Sequence, residues 1–184
     1  MSQLKIVLIS FILLGFLGCK EKPEEASFTA ISDGISTFYF IRHAEKDRSD
    51  SENSDPELTQ AGLGRAMHWA EILKDVPLNT VYSTDYRRTS MTASPIAIKQ
   101  DIDVEYYDPR IIDIEAFKRT NQNKTVLVVG HSNTTPEMVN LMLGEEKYLP
   151  MDDTDNGSLF VVQSVNGTLS SQRFHFSCNC PSRE

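Results

Sequence analysis

The 184-residue chain is poor in several things at once. It has no apolar run long enough to span a bilayer, which takes about 20 residues as a helix. The most apolar stretch, Ile6 to Phe16, falls well short of that. No basic patch, run or stripe interrupts a composition whose formal net charge is −8, which argues against nucleic-acid binding. Only three cysteines are present, too few for a disulfide-built scaffold. Cys178 and Cys180 stand two apart, where a bridge between them would close a strained ring. No further Cys or His pair stands near them in sequence to complete a metal site. Internal repeats are absent.

What is present divides the chain into three parts: 1–19, 20–36 and 37–184. Lys5 precedes the apolar stretch, and the small Gly18 precedes Cys19, the layout of an export signal. Leu17-Gly18-Cys19 resembles the lipobox of bacterial lipoproteins, although Phe16 is bulkier than the usual residue there. That resemblance implies cleavage before Cys19, a lipid on its sulfur, and an exported protein held on a membrane, periplasmic or surface-facing, without a spanning helix. Residues 20–36 are charged and turn-rich, and read as a flexible tether. The remainder, 37–184, is the size of one domain with its own core.

Within that domain strands alternate with helices. Thr37–Ile41, Thr80–Ser83, Val104–Tyr107 and Thr125–Val129 are short β-branched or aromatic runs, the mark of strands. A helix follows Thr59, a candidate N-cap, and carries Ala66, Trp69, Ala70 and Leu73 at helical spacing. A second is expected over Tyr86–Lys99, interrupted or kinked at Pro95. A weak helix spans Ile111–Phe117, and another Pro136–Leu143. Asn166-Gly167 between two strand-like runs marks a hairpin. The expected architecture is α/β: a three-layer sandwich whose largely parallel sheet has helices on both faces and ends in a C-terminal antiparallel hairpin.

Active sites of such sheets gather beyond the carboxyl ends of the parallel strands. Arg42-His43-Ala44-Glu45-Lys46 follows the first strand, Thr84-Asp85-Tyr86-Arg87-Arg88 the second, and His131-Ser132-Asn133 comes just after the strongest. Arginine forks bind phosphate oxygens in two places and keep their charge. A neutral imidazole can attack phosphorus and form a phosphoramidate that water later cleaves. Two arginines and two histidines are therefore a sufficient core for phosphoryl transfer.

These segments resemble the histidine phosphatase superfamily, also called phosphoglycerate mutase-like. Arg42-His43-Ala44 is similar to its Arg-His-Gly signature, with Ala for Gly. Leu58-Thr59-Gln60-Ala61-Gly62 resembles its Leu-Thr-x-x-Gly element. Tyr82 to Ala93 resembles the segment carrying the second arginine, which places that residue at Arg88 rather than Arg87. Gly130-His131-Ser132 resembles its second histidine motif. The resemblance implies a pocket of Arg42, His43, Arg88 and His131 with His43 as nucleophile, acting on a small phosphorylated substrate with no cofactor and no metal. His68 and His175 read as structural or surface residues, and Arg87 as a surface or supporting one.

The proton donor for the leaving group has several candidates. Asp108, Asp113 and Glu115 lie between the second arginine and the second histidine; Glu45 lies beside the nucleophile. Glu45 and Asp113 rank first. Asn133 is a candidate pocket residue, while capping alone explains Thr135. The connections are too short for a large capping insertion, as in the bacterial phosphohistidine phosphatases. Export argues against their substrate, because histidine kinases phosphorylate in the cytoplasm. The alternatives are a phosphate-binding lipoprotein without catalysis, a phosphomutase, and a metal hydrolase, which the adjacent arginines disfavour.

Overall fold

The computed structural model describes residues 34–178, all within one compact unit. The expected signal, Cys19 and most of the expected tether lie outside the described residues. Strand β1 (Ile35–Arg42) is followed by α1 (Gln60–Ile72), β2 (Thr80–Thr84), α2 (Arg87–Gln100), β3 (Val104–Tyr107) and α3 (Ile114–Thr120). Then come β4 (Thr125–Gly130), α4 (Thr134–Leu143), β5 (Ser158–Val165) and β6 (Thr168–His175). The first strand starts earlier than its apolar run. Ile35 and Ser36, read from sequence as the end of a tether, pair with Val165 and Ser164.

The six strands form one sheet in the order β3-β2-β4-β1-β5-β6. The first four are mutually parallel, whereas β5 runs antiparallel to β1 and β6 antiparallel to β5. The period of two along each strand splits the core into two layers. Phe38, Phe40, Val126, Val128, Phe160 and Val162 pack with Phe117 of α3 and with Met138, Val139 and Met142 of α4. Their alternates Ile41, Val81, Leu127, Val129 and Leu159 pack with Trp69 of α1 and with Ala93, Ile96 and Ala97 of α2. The sandwich expected from the pattern is present, with a hairpin at Asn166-Gly167, both at positive φ. Among the described residues no helix is long and apolar enough to cross a membrane.

Two local expectations are corrected. Pro95 does not break α2, which runs through it from Arg87 to Gln100. The ring removes one N–H, but Ile96 and Ala97 on the same helix are buried and hold it on the sheet. Thr135 does not cap α4. Asn133 stands at the cap, and the Thr135 hydroxyl instead donates to the carbonyl of Ile41 at 3.4 Å. Thr59 does cap α1, its oxygen accepting from the Gly62 N–H at 3.0 Å. Cys178 is disulfide-bonded, while Cys180 lies outside the described residues.

Candidate active site

Because β2, β4 and β1 are neighbours in that order, the segments leaving their carboxyl ends meet at one edge of the sheet. A cavity of about 740 Å³ opens there. Arg42, His43, Arg88, His131 and Asn133 all line it.

The loop after β1 is fixed atom by atom. The His43 N–H donates to Gly130 O at 2.9 Å, extending the β1–β4 ladder one residue past the strand. The His43 carbonyl accepts from Asn156 Nδ2 at 2.8 Å, and the Ala44 N–H donates to Thr92 Oγ1 at 2.9 Å. The Ala44 methyl is wholly buried in a small cluster with Leu58 and Ala66, so alanine has a packing role here. The Glu45 carbonyl accepts from the Thr59 N–H and hydroxyl at 2.9 and 3.2 Å. A Cβ on Gly62 would lie 2.2 Å from that same oxygen, which is why glycine is needed in the first turn of α1.

His43 is 3 % exposed. Its Nδ1 lies 2.7 Å from the Ala44 carbonyl oxygen. A carbonyl only accepts, so Nδ1 carries the proton and Nε2 the lone pair. Burial pulls the pKa down to about 3; the Ala44 hydrogen bond opposes this, and Arg42, His131 and Arg88 add to it. His43 is therefore a neutral imidazole at neutral pH.

His131 holds the opposite tautomer. Arg88 Nη2 lies 3.5 Å from its Nδ1, while its Nε2 is 2.9 Å from Thr84 Oγ1. A guanidinium only donates, so Nδ1 accepts and Nε2–H donates to Thr84, whose hydroxyl passes on to Thr89 Oγ1 at 3.0 Å. Burial, then Arg88, Arg42 and Lys46, lower the His131 pKa to about 4. The two imidazole rings stand 5.5 Å apart, centre to centre.

Both arginines have donors to spare. Arg42, 2 % exposed, gives Nη1 to the Asp152 carbonyl at 2.9 Å and Nη2 to Asp153 Oδ1 at 2.7 Å. Its Nε is buried with no hydrogen-bond partner. Arg88 has neither Nε nor Nη1 hydrogen-bonded. Nη1 lies 3.5 Å from Asp55 Oδ1, near enough for an ion pair but not aligned as a hydrogen bond. The Arg88 guanidinium also sits 4.3 Å over the Tyr86 ring. Buried guanidinium N–H groups left without acceptors are costly unless an anion satisfies them.

The two leading candidates for the acid are not in the cavity. Glu45 turns away to pair with Arg65 Nε at 2.7 Å. Asp113 is the N-cap of α3, accepting from the N–H groups of Glu115 and Ala116. Of the other two, Glu115 pairs with Lys118, and Asp108 does line the cavity. Arg110, bonding through side chain and backbone, holds the Asp108 carboxyl down at about 2. Arg87 is exposed and pairs with Glu57 outside the cavity. His68 on α1 and His175 on β6 also lie outside it.

The segment 151–157 was not read from sequence as part of the site, yet it closes one wall. Antiparallel pairing puts the start of β5 beside the end of β1, with Leu159 opposite Ile41, so residues just before β5 fall next to Arg42 and His43. Asp153 bridges Arg42 and Arg48, each at 2.7 Å, and those two hold its pKa at about 2. The recoverable signal was the acidic run Asp152-Asp153-Thr154-Asp155 leading into a strand antiparallel to β1. Among the described residues no group of three or more His, Cys, Asp or Glu is placed to hold a metal ion.

Residues 38–116 match the histidine phosphatase superfamily (branch 1). The match contains Arg42, His43 and Arg88 of the pocket and stops short of His131. Solved structures of similar fold include the protein histidine phosphatase SixA complexed with tungstate, at TM-score 0.61 and 16% identity. That similarity covers 76% of this chain and 96% of that one. Phosphoglycerate mutase from Bacillus anthracis str. Sterne aligns at TM-score 0.59 and 15% identity, over 78% and 94%. A mycobacterial glucosyl-3-phosphoglycerate phosphatase complexed with VO3 aligns at 0.60 and 12%, over 78% and 100%. At these identities the likeness is one of fold. No curated protein sequence matches the chain.

Proposed function

We propose that this histidine phosphatase fold hydrolyses a small phosphorylated compound through a covalent phosphohistidine on His43. One observation carries the reading: two neutral histidines and the buried, unpartnered N–H groups of two arginines share one cavity. The phosphate-like oxyanions in two of the fold relatives support it.

In this reading Arg42 and Arg88 hold the equatorial oxygens of the substrate phosphoryl group. The lone pair on His43 Nε2 forms the N–P bond as the bond to the leaving group breaks and its electron pair departs with it. The developing imidazolium keeps its Nδ1–H on the Ala44 carbonyl. A bound dianion beside His131 favours the protonated ring, which then donates from Nδ1 to the same phosphoryl group. Water cleaves the phosphohistidine and releases phosphate.

Asp108 and Asp153 are ionised at neutral pH and have no proton to give. The substrates favoured are those whose leaving group departs as an anion unaided, such as an aryl phosphate. The test is hydrolysis of p-nitrophenyl phosphate in EDTA. Wild-type protein turns it over and His43→Ala does not; activity lost in EDTA and restored by metal refutes the mechanism. Phosphate binding with no turnover of any ester supports a phosphate-binding protein instead. We further propose that Cys19 carries the lipid anchor, so that Cys19→Ser moves the protein from the membrane to the soluble fraction.

A further inference from the structure

The two arginines of the pocket are held in different ways. Arg42 is fixed by hydrogen bonds, giving one terminal nitrogen to the Asp152 carbonyl and the other to Asp153. Arg88 has only loose polar neighbours among the described residues, Asp55 Oδ1 and His131 Nδ1, each at 3.5 Å. Its guanidinium instead lies over the Tyr86 ring, with the central carbon 4.3 Å from the ring centre. A cation within about 6 Å of an aromatic face is attracted by the ring quadrupole. Such a contact fixes the guanidinium plane without using up an N–H, and so leaves donors free for a ligand.

Tyr86 also occupies a position that tyrosine does not suit. It is the N-cap of α2, with extended backbone, and its side chain makes no capping hydrogen bond. Residues that cap are Ser, Thr, Asp and Asn. Asp55, more than thirty positions away, does the work instead: its Oδ1 accepts from the Arg87 N–H at 2.9 Å. A residue that breaks a local preference, with the loss made good from elsewhere, marks a position kept for function. The Tyr86 backbone is pinned as well. Its N–H donates to the Thr84 carbonyl at 2.9 Å, and its carbonyl accepts from Thr89 Oγ1 at 2.9 Å and from the Ser90 N–H at 3.0 Å. Thr84 is the residue that takes the Nε2–H of His131. The turn 84–89 therefore carries ring, guanidinium and imidazole contact as one piece, and the Tyr86 and His131 rings stand perpendicular with centres 5.1 Å apart.

We propose that Tyr86 is a positioning residue, which holds the Arg88 guanidinium by its ring face and so keeps Nε and Nη1 free for the phosphoryl oxygens. This rests on the phosphoryl-pocket reading above and goes beyond it by assigning a residue that acts through Arg88.

Tungstate binding, followed by calorimetry, tests the proposal without turnover. Tyr86→Leu keeps apolar bulk and removes the ring face, and should bind tungstate about tenfold more weakly than wild type. Tyr86→Phe should stay within about twofold of wild type, because the face and not the hydroxyl is needed. A fluorinated phenylalanine in place of Tyr86 keeps the shape but drains charge from the face. It should bind as weakly as Tyr86→Leu, and it decides the question if that variant does not fold. In an Arg88→Gln background, adding Tyr86→Leu should cost nothing further, since both changes remove one contact. Wild-type affinity in Tyr86→Leu or in the fluorinated protein overturns the proposal. So does a Tyr86→Phe as weak as Tyr86→Leu, or an undiminished loss in the Arg88→Gln background. Each of these leaves the phosphoryl pocket standing, whereas no tungstate binding by wild type overturns both.

Discussion

Acidification from pH 7 to pH 5 should destabilise the folded protein, and His43 and His131 together set the slope. In the unfolded chain a histidine titrates near 6.5. In the fold, burial holds His43 at about 3. Between these values the unfolded state binds one proton more than the folded state. Stability therefore rises with pH through that window and is lost as pH falls from 6.5 toward 3. Integrated from pH 7 to pH 5, this one residue costs about 2 kcal/mol, and the result hardly changes for any folded pKa well below 5. His131, held at about 4, adds a loss of the same sign and nearly the same size. Asp108 and Asp153 contribute little here. Their depressed values, about 2, put their loss of stability below the carboxylate range. The measurement is urea unfolding at pH 7, 6 and 5 in phosphate-free buffer, since a bound oxyanion stabilises the folded state. Wild type should lose about 2 kcal/mol more than His43→Asn across this range, because asparagine does not titrate. Equal pH slopes in the two proteins refute a neutral, buried His43.

Three further outcomes follow from the site and its supports. With Asp108 and Asp153 ionised, p-nitrophenyl phosphate should be turned over on the order of 10³-fold faster than an alkyl phosphate, the share a general acid usually supplies; comparable rates would require an acid. Asn156→Ala removes the donor to the His43 carbonyl and should lower stability by about 1–3 kcal/mol, read by denaturant titration. Gly62→Ala puts a methyl against the Glu45 carbonyl and should cost more than the ~1 kcal/mol typical of a point substitution, with a loss of activity as the Arg42–Glu45 loop shifts; a neutral effect on Tm would contradict the tight approach.

The sequence made the sheet legible because its signals are local. The β-branched and aromatic runs of β1 and β4, and the helical spacing of Ala66, Trp69 and Ala70, depend only on near neighbours in the chain. The gathering of Arg42, His43, Arg88 and His131 at one cavity was legible for a related reason, since each lies within a few residues of a strand end. The acid was not. Glu45 sits two residues past His43, yet its side chain turns to Arg65, twenty positions away, and no spacing rule carries that information. Asp113 was drawn off by the unpaired N–H groups of α3, a demand that any Asp at a helix start can meet. Asp153 and Asn156 were missed because they reach the site from 110 or more residues away through an antiparallel pairing whose register is set by the whole sheet.

The most direct test of the central claim is to trap the intermediate. Wild-type protein mixed with an isotopically labelled phosphate ester and quenched within milliseconds should carry an acid-labile phosphoryl group on His43 and on no other residue. A label on another side chain, or turnover with His43 unlabelled throughout, would contradict the account.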